Sequence, residues 1–195
     1  MKKYTLFILI IIFQSCITIE LSESGYRSLE YFEKLHVKPF ESAYNEKSCI
    51  TENCRAIFEI NSNNILELAK NQKYTWVHIW KPYCSNESCV NIEQFSKLEN
   101  KYINNGLNLT FISTTYDLKQ IISIANNSNF SDPIYVLEGS YYGVKFKEIR
   151  KKLYEDLNAD SKPDDYFFHD DFVFYQDSLI FMGNVNDSIF DSLIL

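Results

Sequence analysis

The sequence predicts an α/β fold: a mostly parallel sheet, helices on both faces, and an antiparallel hairpin at the end. Three observations carry this. From Ala56 onward, short β-patterned runs alternate with segments of helical periodicity. Tyr74 to Trp80 is apolar on both faces, as a strand covered on both sides must be. Near the C-terminus, DFVFYQDSLIFMG (Asp171 to Gly183) holds two apolar runs around a turn at Gln176 to Ser178.

The elements follow in order. Ala56 to Ile60 reads as a short strand, and Asn61 to Asn64 supply helix-capping side chains. Ile65, Leu66, Leu68 and Ala69 give an amphipathic helix of about two turns. After the strand Tyr74 to Trp80, the residues Ile92, Phe95, Leu98 and Tyr102 recur at helical spacing, and Asn105-Gly106 stops that helix. Leu107 to Thr114 is the next strand. Asp117 caps a helix with Leu118, Ile121, Ile122 and Ala125 on one face. Ile134 to Leu137 is a further short strand. Phe146, Ile149, Leu153 and Leu157 mark a helix ended by Ser161-Lys162-Pro163, before the hairpin.

Composition bounds the function. In 195 residues, 46% hydrophobic and 16% aromatic content is enough for one well-filled core and excludes a disordered chain. The net charge of −7, with no basic run beyond the extreme N-terminus, argues against a nucleic-acid partner, because phosphate binding needs clustered positive charge. No internal repeat and no Gly-rich phosphate loop is present.

The N-terminus carries an export signal. Lys2 and Lys3 precede TLFILIIIF, Thr5 to Phe13, a run shorter than the roughly 20 apolar residues of a membrane span. It ends in FQSC, Phe13 to Cys16, which resembles the lipobox of bacterial lipoproteins, although Phe13 and Gln14 depart from its commonest form. The resemblance implies cleavage after Ser15, lipidation of Cys16 and stable attachment to a cell-envelope membrane facing the periplasm. The expected organisation is a signal peptide over 1–15, a tether and N-terminal extension over 16–55, and a domain over 56–195. Within the extension, Leu29 to Leu35 suggests a short helix ended by Pro39, and His36 reads as a solvated side chain.

Export permits disulfides. With Cys16 carrying lipid, four of the five cysteines remain, in two local pairs: Cys49 with Cys54, and Cys84 with Cys89. Local pairing is the simplest of three connectivities, and crossed bridges stay open. Cys49 and Cys54 precede the domain without a strand leading in, which favours a structural bridge. The sharper alternative is a second dithiol that exchanges with Cys84.

Strand, then Trp80-Lys81-Pro82-Tyr83-Cys84, then a second cysteine and a helix resembles the active-site element of the thioredoxin family. The hairpin resembles that family's last two strands. The likeness runs from about Ala56 to Gly183. It implies a thioredoxin-like three-layer α/β/α sandwich whose central mixed sheet ends in an antiparallel hairpin. Cys84 falls on the family's nucleophile, Cys89 on its resolving cysteine, and Tyr83 on the residue before the nucleophile, with Tyr83 and Asp170 as substrate contacts. The departures are specific. Four residues separate the cysteines instead of two, His169-Asp170-Asp171 stands where the family has a proline, His78 occupies the place of a buried carboxylate, and the helix from Lys145 is longer.

The chemistry follows from thiolate character. A helix N-terminus stabilises the attacking thiolate through its free N–H groups and dipole. Five residues turn a helix about 140° past a full turn, so Cys84 and Cys89 meet only if Ser85 to Ser88 form a loop and the helix starts near Cys89. Lys81 would lower the Cys84 pKa, while Asp170 and Asp171 would raise it. The alternative readings are a structural bridge, adding roughly 2 kcal/mol for so short a loop, and a copper site. Two thiolates with His169 suit Cu(I), and the set resembles copper-chaperone relatives of thioredoxin; His169 also reads as a loop histidine. His78 reads as a core histidine, with proton transfer as its sharper alternative. The expected function is a thiol-disulfide oxidoreductase acting on protein thiols with no organic cofactor. A copper-binding chaperone and a non-catalytic lipoprotein of the same fold are the alternatives.

Overall fold

The computed structural model describes residues 24–29, 36–41, 57–82, 92–128, 130, 132–157 and 170–194. Its strands are β1 (Val37–Lys38), β2 (Ile57–Ile60), β3 (Tyr74–Trp80), β4 (Leu107–Ser113), β5 (Ile134–Leu137), β6 (Asp171–Tyr175) and β7 (Ser178–Gly183). The helices are α1 (Ser62–Lys70), α2 (Ile92–Tyr102), α3 (Leu118–Asn127), α4 (Gly139–Tyr142), α5 (Phe146–Asp156) and α6 (Asp187–Ile194). The strands form one sheet in the order β1-β2-β5-β4-β3-β6-β7. The first five run parallel, and β6 and β7 are antiparallel. This is the expected α/β/α sandwich, a mixed sheet with helices on both faces and a closing antiparallel hairpin.

Local sequence accounts for the element ends. Asn61 and Asn64 form a reciprocal capping box at α1: each side chain accepts from the other's backbone N–H, at 3.2 and 3.1 Å. Asp117 caps α3 by accepting from Gln120 N. Gly106 closes the segment after α2 with φ +88, a conformation that side chains with a Cβ rarely adopt.

Period-two alternation along β3 divides the core. Trp76 and Trp80 pack on one face with Phe95 of α2, Ile121 of α3 and Phe190 of α6. Val77 and Ile79 pack on the other with Ile65 of α1, Tyr142 of α4 and Leu153 of α5. Every β3 residue but the first is buried, which is why its sequence is apolar on both sides. Burying a side chain such as Phe190 contributes roughly 1.5–3 kcal/mol.

The structure adds elements that the sequence reading lacks. Val37–Lys38 pairs in parallel with β2, and Pro39 follows this strand instead of ending a helix; without an N–H it adds no rung to the ladder. His36 is exposed, as expected, and its carbonyl accepts from Ile57 N. The C-terminal helix α6 follows the hairpin, with Asn186 accepting from Ile189 N. Of the helix expected from Leu29 to Leu35 only Leu29, which follows the 3-10 turn Tyr26–Ser28, is described, and the Ser161 to Pro163 stop lies outside the described residues. Among the described residues no helix is long and apolar enough to cross a membrane.

Candidate functional site at the carboxyl edge of the sheet

The five parallel strands end on one side, and in open α/β sheets chemistry gathers there. β3 ends at Trp80, whose carbonyl accepts from Thr114 N just past β4. Lys81 and Pro82 continue along this edge, and Gln120 in the first turn of α3 donates to the Pro82 carbonyl at 3.1 Å. Tyr83, Cys84 and Cys89 lie outside the described residues, as do the Ser85 to Ser88 loop, Cys16, Cys49, Cys54 and His169. The described residues thus bound the cysteine segment at Pro82 on one side and at the start of α2, Ile92, on the other.

Beneath that edge lies a buried polar network. Asp171 faces His78 directly across the β3–β6 ladder. Its Oδ1 accepts from Trp76 Nε1 at 2.7 Å and lies 2.7 Å from His78 Nδ1, and its Oδ2 accepts from Val185 N at 2.9 Å. With a carboxylate at the centre, the network assigns the imidazole proton to Nδ1. The His78 ring packs 4.0 Å from that of Phe95 on α2, the helix that follows the cysteine segment. His78 is therefore a satisfied core histidine on the α2 side of the sheet. A groove of about 430 Å³ opens beside it over Trp76, Phe95 and Val185.

Asp170 points to the other side of the strand. Its carboxylate pairs with Lys81 Nζ at 2.8 Å and with the buried Arg150 of α5. Burial works to raise its pKa, but the Arg150 guanidinium and the Lys81 ammonium outweigh that and hold it below the ordinary carboxylate range. The two aspartates are thus spoken for. Asp170 is paired with two cations, and Asp171 is committed to Trp76 and His78.

A second cluster stands at the ends of β2 and β5. The buried Tyr116 hydroxyl accepts from Gly139 N at 2.9 Å and lies within 2.8 Å of Glu59 Oε1 and 2.7 Å of the Leu137 carbonyl. The phenol's one proton has two acceptors in reach, the Glu59 carboxyl oxygen and the Leu137 carbonyl. Burial raises the Glu59 pKa, the Tyr116 contact opposes this and the nearby Glu138 adds to it. Burial, with Glu59 adding to it, also pushes the Tyr116 hydroxyl far up.

Sequence reasoning named His78, Lys81 and Asp170 but missed Asp171 as the partner of His78, and it missed Arg150 and Tyr116. Arg150 had a signal: it adjoins Ile149 on a helix whose apolar positions define the buried side. The His78–Asp171 pairing had none, because it depends on the register of strands far apart in the chain. Among the described residues no group of three His, Cys, Asp or Glu side chains is placed to hold a metal.

No protein-family model and no curated protein matches the chain. Among solved structures, it is similar to the thioredoxin domain of a thiol-disulfide oxidoreductase from Bacteroides vulgatus. The identity is 15%, covering 66% of this chain and 81% of that chain, with a TM-score of 0.46.

Proposed function

We propose that the chain is a membrane-anchored thiol-disulfide oxidoreductase that exchanges disulfides with protein thiols through Cys84 and Cys89. The observation that carries this reading is positional. The segment with both cysteines runs from the carboxyl end of a buried central strand, Trp80 to Pro82, to the start of α2 at Ile92. Strand ends at this edge and a helix N-terminus are what an exchanging thiolate needs.

In the reducing direction, the Cys84 thiolate attacks one sulfur of the partner's disulfide. A mixed disulfide forms and one partner thiolate leaves. The Cys89 thiolate then attacks Cys84, closes the Cys84–Cys89 disulfide and releases the second partner thiolate. Two electrons pass from the dithiol to the partner, and the reverse sequence oxidises it. Tyr83, next to Cys84 in sequence, shapes the contact surface in this reading. Lipidation of Cys16 holds the exported domain to a cell-envelope membrane on its periplasmic side. Cys49 and Cys54 form a structural bridge.

The test is trapping. Cys89→Ser should accumulate mixed disulfides on Cys84, and Cys84→Ser should accumulate none. A copper-binding chaperone using Cys84, Cys89 and His169 predicts instead that His169→Ala abolishes tight Cu(I) binding and that neither cysteine variant traps protein. A purely structural bridge predicts lost stability with no trapping and no copper. If Cys89→Ser traps nothing and the disulfide resists reduction near thioredoxin-like potentials, about −270 mV, the oxidoreductase reading is wrong.

A further inference from the structure

At the amino ends of the parallel strands, on the edge opposite Pro82, a pocket of about 150 Å³ lies between α1, β3, β4 and the turn before β5. It exists because β5 is short. The β4–β5 ladder begins at Phe111 and Ile134, so Leu109, two residues earlier on β4, has no rung to β5. Its N–H donates instead to Glu99 Oε1 of α2 at 2.6 Å, which brings a buried carboxylate to the edge of the sheet. Asp132 brings a second carboxylate to the same pocket, and its charge acts on Glu99.

Thr75, the second residue of β3, lines this pocket and is 1% exposed. Its Oγ1 is the one buried side-chain N or O atom among the described residues with no hydrogen-bond partner. Buried hydroxyls are ordinarily satisfied, so this one points to a group supplied from outside the chain. Asn108 stands directly across the β3–β4 ladder from Thr75 and donates Nδ2 to Gln72 Oε1 at 2.7 Å, which leaves Oδ1 as its acceptor. Thr110 adds a second hydroxyl two residues further along β4.

The lining thus offers carboxylate, amide and hydroxyl oxygens, and no Lys, Arg or His. That set disfavours an anion and asks for hydrogen-bond donors that carry positive charge. Leu68, Pro133 and Tyr135 make the rest of the wall apolar, a surface that a short alkyl chain uses and a hydrated metal ion does not. An ammonium has three N–H donors and no acceptor, which matches Glu99, Asp132 and the Thr75 hydroxyl oxygen. The volume is that of roughly five waters at about 30 Å³ each, room for a nitrogen and a chain of about four carbons. We propose that this pocket binds a small primary alkylammonium ion, with Glu99 and Asp132 facing its charge and Thr75 Oγ1 accepting one of its N–H groups. The site is separate from the cysteine segment and does not rest on the oxidoreductase reading.

Calorimetric titration of the full-length chain in detergent with butylammonium chloride tests this. One saturable site is expected, with Kd below about 1 mM; a ligand of about five non-hydrogen atoms can reach no tighter than roughly 3 µM. Tetramethylammonium, which has no N–H, and calcium at matched ionic strength should bind at least about tenfold more weakly. Thr75→Val replaces the hydroxyl with a methyl, and Glu99→Gln keeps an acceptor for Leu109 N. Each should weaken butylammonium binding by about tenfold or more, while thermal melting shows the variants folded. Burial pushes Glu99 up to about 7, so wild-type affinity should rise between about pH 6 and about pH 8 as it gives up its proton, and Glu99→Gln should lack that rise. Asp132 and the Tyr135 phenol are the other titratable groups on the lining; α1, β3 and β4 contribute none. Absence of saturable heat, equal binding of calcium or tetramethylammonium, or unchanged affinity in either variant overturns the proposal. Amide shifts of the wild type locate the ligand without any variant. On adding butylammonium they should centre on Thr75, Leu109 and Thr110, and shifts centred elsewhere overturn the site.

Discussion

Nδ1 of His78 stands 2.7 Å from Oδ1 of Asp171, and the two residues face each other in the register between β3 and β6. The pair ties the strand that leads to the cysteines to the strand that closes the sheet beside it. Trp76 and Val185 donate to the same carboxylate.

Asp171→Ala should therefore strand three donors in the core and lower stability by about 3 kcal/mol, since each unpaired buried group costs roughly 1–3 kcal/mol. Asp171→Asn keeps an acceptor for Trp76 and His78 but turns an NH2 toward Val185 N, so about half that loss is expected. Urea denaturation of both variants measures it. Equal losses would mean that the hydrogen bonds are not what the carboxylate supplies.

Asp170 and Arg150 should behave as a coupled pair. Asp170→Ala takes a carboxylate away from the buried Arg150 guanidinium, with an expected loss of about 3 kcal/mol. Adding Arg150→Met should recover much of it, and additive losses in that double-mutant cycle count against coupling. The folded-state pKa of Asp170 is depressed, so its contribution is present above the unfolded value, near 3.8, and is lost as pH falls below that. An acid titration of the wild type should show this loss below about pH 4, and Asp170→Asn should lack it.

Glu99 runs the other way. Burial pushes it up to about 7, its bond from Leu109 N pulls it down, and Asp132 adds to the rise. The folded chain then holds a proton that the unfolded chain releases near 4.5. The stability this supplies is complete below that value and is lost as pH rises to about 7. Glu99→Gln should flatten this slope and be more stable than wild type at pH 8 by about 1–2 kcal/mol. Matching slopes in the two proteins would sink the assignment.

Gly139→Ala tests how the N-terminal segment is seated: Tyr26 lies over Gly139, and the Ser24 carbonyl accepts from Tyr116 N at 2.6 Å. The new Cβ would collide with the Tyr26 ring, and overpacking of this kind costs about 1–3 kcal/mol. The amide of Tyr116, which donates to Ser24, should exchange with solvent faster than in the wild type, while amides in β3 hold. Unchanged exchange at Tyr116 would show that Tyr26 is not what holds this segment down.

Much of the architecture was legible because it rests on local pattern. β3, α2 and the hairpin each carry a period that neither loop nor alternative element would show, and Asn61 and Asp117 announce their helices by cap chemistry. What escaped depends on contacts between distant parts of the chain. β1 is two residues long and exists only because β2 offers an edge. α4 is a single turn. α6 did leave a trace, with Phe190 and Ile194 one turn apart behind Asn186, and its apolar spacing resembled the end of the hairpin closely enough to be passed over. In the site, Lys81 and His78 could be named from position, but what they bind could not, since Asp170 and Asp171 reach them only through strand register.

β6 fills the slot beside β3, and its residue Asp171 comes 95 residues after Trp76. A polypeptide emerging from its N-terminus first therefore presents β3 long before the strand that covers one of its edges exists. Until β6 has been made, a central apolar strand has a bare edge, and an indole and an imidazole lack their acceptor. Bare edges of this sort pair readily with other chains. Closure of this side of the sheet is thus timed by the synthesis of β6 and β7. Products terminated before Asp171 should collect in the insoluble fraction, and a nascent chain needs an escort until β6 has emerged.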